Sequence, residues 1–158
     1  MTASLSELPR EDWTRALCAV PEHQLAEVAK GFPDSWTITP KAMPQAGLGL
    51  MKMRDSALGD DFYLGEFPMA SCWLSISTPA GEHSEGAAII MDDKRDLAEH
   101  IALCDAVLAA RLPGWEQVAE LIAQGQRQLE KTALERKSLL ARTRVDFSLL
   151  DDVGDEDA

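Results

Sequence analysis

The chain has 158 residues, a formal net charge of −12 and three cysteines. That length fits one domain with room for an appended arm, and the acidic balance argues against direct binding to a phosphate backbone. Cysteine is scarce and unpatterned, which fits a reducing cytoplasm rather than a disulfide framework. The opening MTASLSELPRED has no basic head before an apolar run, and no stretch approaches the ~20 apolar residues of a membrane span. A cytoplasmic protein with neither nucleic-acid nor membrane partner is expected.

Pro9 suits a first helical turn, and Glu11 and Asp12 favour its dipole. Trp13, Ala16, Leu17 and Val20 then share a stripe, which predicts a short helix. Pro21 restarts the chain. Leu25, Val28 and Ala29 form the inner face of a second short helix that Gly31 closes. The two are expected to pack as a hairpin anchored by Trp13. From Trp36 the pattern turns to strand. Residues 36–39 are β-branched and aromatic and alternate, and Pro40 and Pro44 interrupt them, so they read as an edge strand. Residues 48–54 read as a second strand, and 62–67 as a third after the turn at 59–61. Residues 69–77 are the clearest strand. Ala70, Cys72, Leu74 and Ile76 face one way, and Ser71, Trp73, Ser75 and Ser77 the other. A loop from Pro79 carries His83 near its tip, and 86–91 return as a partner strand. The whole is an antiparallel meander with one buried face, and Trp73 on the polar face calls for cover.

Asp92 or Asp93 can cap the next helix, whose stripe runs through Leu97, Ile101, Cys104, Leu108 and Leu112 before Pro113-Gly114. Asp105 borders the stripe and, if buried, needs a donor. Glu99, His100, Cys104 and Asp105 crowd this helix, with His100 one turn from Cys104. Two ligands fall short of a zinc site, however, and Cys18, Cys72, His23 and His83 are isolated in the chain. No third group orients a base. A packed helix is the preferred reading, with no metal site and no catalytic residue. Gly47-Leu48-Gly49 also lacks the lysine and spacing of a phosphate loop.

The last helix is predicted from Trp115, Val118, Ile122, Gly125, Leu129, Thr132, Arg136, Leu139 and Thr143, which recur in steps of three and four. Roughly 30 residues would span ~45 Å, more than a compact domain of this size requires. The stripe weakens from Gly125 to Arg136, a place for a break or kink. Arg127, Lys131, Arg136, Lys137, Arg142 and Arg144 alternate with Glu130 and Glu135, either as a solvated face or as a contact for an acidic partner. The apolar run that follows, through Val145, Phe147 and Leu149, reads as an arm that binds a partner. The last eight residues carry five acids and no apolar run, a tail expected to be mobile. The expected class is therefore α+β: an N-terminal helical hairpin, an antiparallel β-meander, then a helix and a long extended C-terminal helix. Its divisions are a domain over 1–114, a helical arm over 115–150 and an acidic tail over 151–158.

The order of segments resembles the G-subunit family of the bacterial carbon–phosphorus lyase core complex. The residues that carry the likeness are GLGLMKM at 47–53, FYLGE at 62–66, the strand at 86–91 and LAEHIALCDAVL at 97–108. The last is similar to the family's A-E-x-x-A-x-x-D-A helix, and Arg144-Val145-Asp146-Phe147 resembles its ending. Glu99 and Asp105 match that helix pattern whereas His100 and Cys104 do not, which argues against a reactive pair. One departure is Asp92-Asp93-Lys94 in place of a Gly-Arg-Asp-like turn. That arginine's role is then missing here or has moved to Lys94 or Arg95.

The resemblance implies an accessory subunit working with the H, I and L subunits while a phosphonate displaces adenine from ATP to give ribose 1-phosphonate 5-triphosphate. It implies a transferase subunit not catalytic alone, in a hetero-oligomer with H, I and J, and wrapped mainly on I. No cofactor is implied in this chain, because the iron–sulfur cluster and S-adenosylmethionine belong to another subunit. Trp73, Arg142, Arg144, Val145, Asp146, Phe147 and Leu149 are expected at the partner interface. Glu66, Glu99 and Asp105 are expected as structural or orienting carboxylates. The residues by themselves leave open a stand-alone ligand-binding or regulatory scaffold domain using the face around Trp73.

Overall fold

The computed structural model describes residues 8–142. A 3₁₀ turn, Arg10–Asp12, runs into helix α1 (Trp13–Leu17), and α2 (Glu22–Lys30) follows across Pro21. Three strands come next, β1 (Thr37–Arg54), β2 (Asp61–Ser77) and β3 (His83–Ile90), then helices α3 (Arg95–Ala109) and α4 (Trp115–Arg142). The class is α+β. The strands form one antiparallel meander in the order β1-β2-β3, and the helices cover one of its faces.

The two-residue period of β2 decides which face is buried. Ala70, Cys72, Leu74 and Ile76 turn inward, and Ser84, Gly86, Ala88 and Ile90 of β3 share that side. Above them lies α3, in which every residue from Ile101 to Leu108 is buried. A helix apolar on all sides can be satisfied only at the centre of a domain. Here the sheet lies below α3, and α1, α2 and α4 pack around it. Small residues set the spacing between helix and sheet. A Cβ on Gly86 would overlap the Ala102 carbonyl and Ala106, and Ser84 Oγ donates to the Ala106 carbonyl at 2.6 Å. The chain leaves α3 through Arg111 at φ 50°, with Leu112 N–H donating to the Val107 carbonyl at 2.9 Å. This left-handed exit is one that glycine usually occupies.

Several local features differ from the sequence reading. Residues 37–54 form one strand rather than two, and so do 61–77. Pro40 and Pro44 do not interrupt β1, because β1 is an edge strand and its pairing shifts between Pro40 and Ala42 and again between Ala42 and Gln45. Such irregularities absorb an absent N–H donor. His83 starts β3 instead of sitting at a loop tip, with Nδ1 2.9 Å from Ser77 Oγ. Neither Asp92 nor Asp93 caps α3. Lys94 holds the cap position, without a side-chain cap bond, and its ammonium pairs with Glu22 and with Asp92. Finally, α4 runs unbroken for 28 residues through Gly125. Glycine is needed there for contact, not for a kink: a Cβ would overlap the Ala16 carbonyl of α1. Among the described residues no helix is long and apolar enough to cross a membrane.

Candidate functional site

The reactive-looking helix is chemically quiet. Cys104 is fully buried, and burial, helped by the charge of Asp105, pushes its thiol up to about 12. Cys72 is pushed up to about 11 by burial first and by Glu99 second. Thiols held protonated are poor nucleophiles and poor metal ligands. His100 and Glu99 are half-buried along a groove between α2 and α3 that Lys30 and Asp96 also line. No group of three potential metal ligands occurs among the described residues.

Asp105 lies at a junction that composition does not reveal. Arg10 grips it with two hydrogen bonds, Nε to Oδ1 at 2.9 Å and Nη2 to Oδ2 at 2.8 Å. The same Nη2 donates to the Glu85 carbonyl at 2.7 Å, and Ala87 N–H donates to Asp105 Oδ2 at 3.0 Å. The Glu85 carbonyl and the Ala87 amide both point away from β2, at the open edge of β3. They are the groups a fourth strand would bond, so the ion pair occupies one rung of a missing ladder. The Asp105 side chain is 9% exposed and that of Arg10 52%. The hydrogen bonds to Asp105 raise the guanidinium's already high pKa, against the opposing effect of burial. Sequence reasoning identified Asp105's need for a donor but not Arg10. A lone arginine after a proline carries no signal of where it will reach.

Among the described residues no helix lies on the face of the sheet opposite α3. Trp73 lies there, 47% exposed, between Ala42 of β1 and Ala87 of β3. Its indole N–H donates to Glu85 Oε2 at 3.2 Å, and Lys41 pairs with Glu85 Oε1 at 3.2 Å. Ile89 is exposed on the same face.

Beyond Ala70, where β3 ends, β1 and β2 continue alone as a two-stranded ribbon. The GLGLM segment alternates across it. Gly47, Gly49 and Met51 pair with Met69, Phe67 and Gly65 on the Trp73 face, so each large side chain meets a glycine. The Phe67 ring lies over Gly49 so closely that a Cβ there would overlap it. Leu48 and Leu50 point to the α3 side, past the start of that helix, and are 67% and 59% exposed. Glu66 and Pro68 pair with Leu50 and Leu48 on that side. Glu66 makes no ion pair among the described residues. The turn is closed by Asp55, which accepts from the Ala57 and Leu58 amides at 3.2 and 2.9 Å. Those bonds hold its carboxyl below the usual range.

Helix α4 is divided the same way. Val118, Ala119, Leu121 and Ile122 belong to the core, while residues 133–141 are exposed, Leu134, Leu139 and Leu140 included. Arg142 is the last described residue. The expected arm residues Arg144, Val145, Asp146, Phe147 and Leu149, and the acidic tail, lie outside the described residues.

A family model described as phosphonate metabolism protein PhnG matches residues 8–151, nearly the whole chain. No curated protein matches it.

Proposed function

The chain belongs to the PhnG family of phosphonate metabolism proteins, and on that premise we propose that it is an accessory subunit of a cytoplasmic carbon–phosphorus lyase system. With the H, I and L subunits it supports displacement of adenine from ATP by a phosphonate, giving ribose 1-phosphonate 5-triphosphate. The complex is then a transferase whose chemistry belongs mainly to I, and J carries the iron–sulfur cluster with its S-adenosylmethionine. The observation that carries this reading is the family match over residues 8–151.

Two structural facts support the accessory role. The helix richest in reactive residue types keeps its thiol protonated and its carboxylate in an ion pair. The exposed apolar side chains meanwhile gather on extended elements that reach past the core. Trp73 on the open sheet face, together with Arg142, Arg144, Val145, Asp146, Phe147 and Leu149 at the end of α4, would contact the I subunit. Glu66 and Glu99 would serve as interface or orienting carboxylates.

Reconstitution of the H, I and L subunits with and without this chain tests the proposal, with adenine release from ATP and methylphosphonate as the readout. Release should depend on the chain and fall when residues 142–158 are deleted. Equal release from H, I and L alone would refute the accessory role. Full assembly and turnover by the deleted form would refute the role of the arm.

A further inference from the structure

The chain carries a net charge of −12, yet one of its grooves is basic. Where the turn between α1 and α2 meets α4, a groove of about 600 Å³ is lined by Pro21, Gln124, Arg127, Gln128 and Lys131. No carboxylate lines it. By contrast, Asp12 and Glu130 line the groove between α1 and α4, and Asp96 and Glu99 the one between α2 and α3. Arg127 and Lys131 are one turn apart on the same face of α4, and both are exposed, as is Gln128. Neither cation makes an ion pair among the described residues, whereas Lys41, Lys52 and Lys94 each hold a carboxylate. Pro21 starts α2 without a side-chain cap, so the helix dipole adds to the same positive field.

A matching anion lies in the same chain. Residues 151–158, DDVGDEDA, carry five acids in eight positions and no basic residue. They lie outside the described residues, and their reach follows from the length of chain before them. Lys131 and Arg127 precede Arg142, the end of α4, by about 16 and 22 Å along the helix. The nine residues from Arg142 to Asp151 can span about 30 Å when extended, so the acids reach both cations. As a flexible chain, the stretch from Arg142 to Asp151 or Asp155 averages about 15–22 Å from end to end. That mean length matches the span, the condition under which a tether gives its highest effective concentration, on the order of millimolar. At micromolar protein, the tail of the same copy then outcompetes the tail of another roughly a thousandfold.

From this match we propose that the acidic tail, residues 151–158, folds back onto the groove in its own copy. Its carboxylates pair with Arg127 and Lys131, and residues 143–150 form the return span. Each exposed pair is weak and screened by salt. The contact therefore rests on several carboxylates exchanging over two cations and on the tether that keeps them near. It closes the groove to other acidic ligands at low salt and opens it as ionic strength rises. Charge and reach carry this inference, and it does not depend on the phosphonate reading.

Photo-crosslinking in the full-length chain is the test. A photoreactive amino acid at position 128 should capture peptides from residues 151–158 in about 50 mM salt, and capture should fall at least about fivefold in about 0.5 M salt. In a mixture of isotopically light and heavy chains, both halves of each crosslinked peptide should come from one chain. Arg127→Glu with Lys131→Glu should lower capture at least about tenfold. Adding Asp151→Lys, Asp152→Lys and Asp155→Lys to that background should restore it. Positions 127, 128 and 131 are exposed, so circular dichroism melts should confirm an unchanged fold. Capture of no tail peptide, capture of the tail of another chain, or capture indifferent to the charge reversals would each overturn the proposal.

Discussion

Arg10→Ala is the most informative single perturbation of the fold. It removes two charge-assisted hydrogen bonds from Asp105 and leaves that carboxylate with the Ala87 amide alone. Removing one member of a buried ion pair costs about 3–5 kcal/mol, because the remaining charge stays desolvated. The Arg10 side chain is half in water, so part of the attraction is screened and solvent can enter the vacated space. About 2–3 kcal/mol is the expected loss. For a domain of this size that lowers Tm by about 4–12 °C. Urea titration at fixed protein concentration, followed by tryptophan fluorescence, measures it.

The control is Asp105→Asn, made in both backgrounds. In wild type it should destabilise, since it discards the charge that Arg10 needs. After Arg10→Ala it should recover about 1 kcal/mol, since it removes a stranded charge. A coupling free energy below about 0.5 kcal/mol would mean that the two side chains act independently and would refute the reasoning.

Gly125→Ala pits two effects against each other. Helix propensity favours alanine by about 1 kcal/mol, but overlap with the Ala16 carbonyl forces α1 off α4 at a cost of about 1–3 kcal/mol; net destabilisation in urea is expected, and a gain in stability would show that the helices yield freely. With Ellman's reagent at pH 8, Cys18 alone should react in the folded chain, slowed by its raised pKa, while Cys72 and Cys104 should react only in denaturant. Stability should also fall at alkaline pH. Both buried thiols lie above the unfolded value of about 8.5, so the unfolded chain loses these protons first. The contribution is whole below that pH and declines toward about 11 for Cys72 and about 12 for Cys104, by about 1.4 kcal/mol per pH unit for each thiol. Cys72→Ala with Cys104→Ala should flatten the decline.

The parts of the fold legible in the sequence are those fixed by local period. Residues 69–77 alternate strictly, and β2 buries Ala70, Cys72, Leu74 and Ile76 as that alternation requires. Leu97, Ile101, Cys104 and Leu108 step through α3 in the same way. Reading failed where a residue answers to a distant partner. Gly125 looks like a weak point in a helix until the Ala16 carbonyl is seen against it. Pro40 and Pro44 look like stops until the register shifts beside them are seen. Arg10 has no sequence signature at all, because its meaning lies in Asp105 and in the β3 edge. The period of GLGLM was visible as a strand. Its division of labour, glycines under Met69 and Phe67 and leucines on the other face, needed the pairing register.

That division also bears on how many neighbours the chain can hold at once. Trp73 and Leu50 lie on opposite faces of one sheet, and the pairing of β1 with β2 is continuous between them apart from the shifts near Pro40 and Gln45. Because strand side chains alternate sides, a partner seated over Trp73 takes no surface from a helix seated over Leu50. Two partners seated on the two faces therefore need not compete. The two faces should respond separately to mutation: Trp73→Ser should weaken capture by the I subunit, while Leu50→Glu on the opposite face should leave that capture unchanged. An equal loss of capture from Leu50→Glu would mean that the ribbon and the open face form a single site.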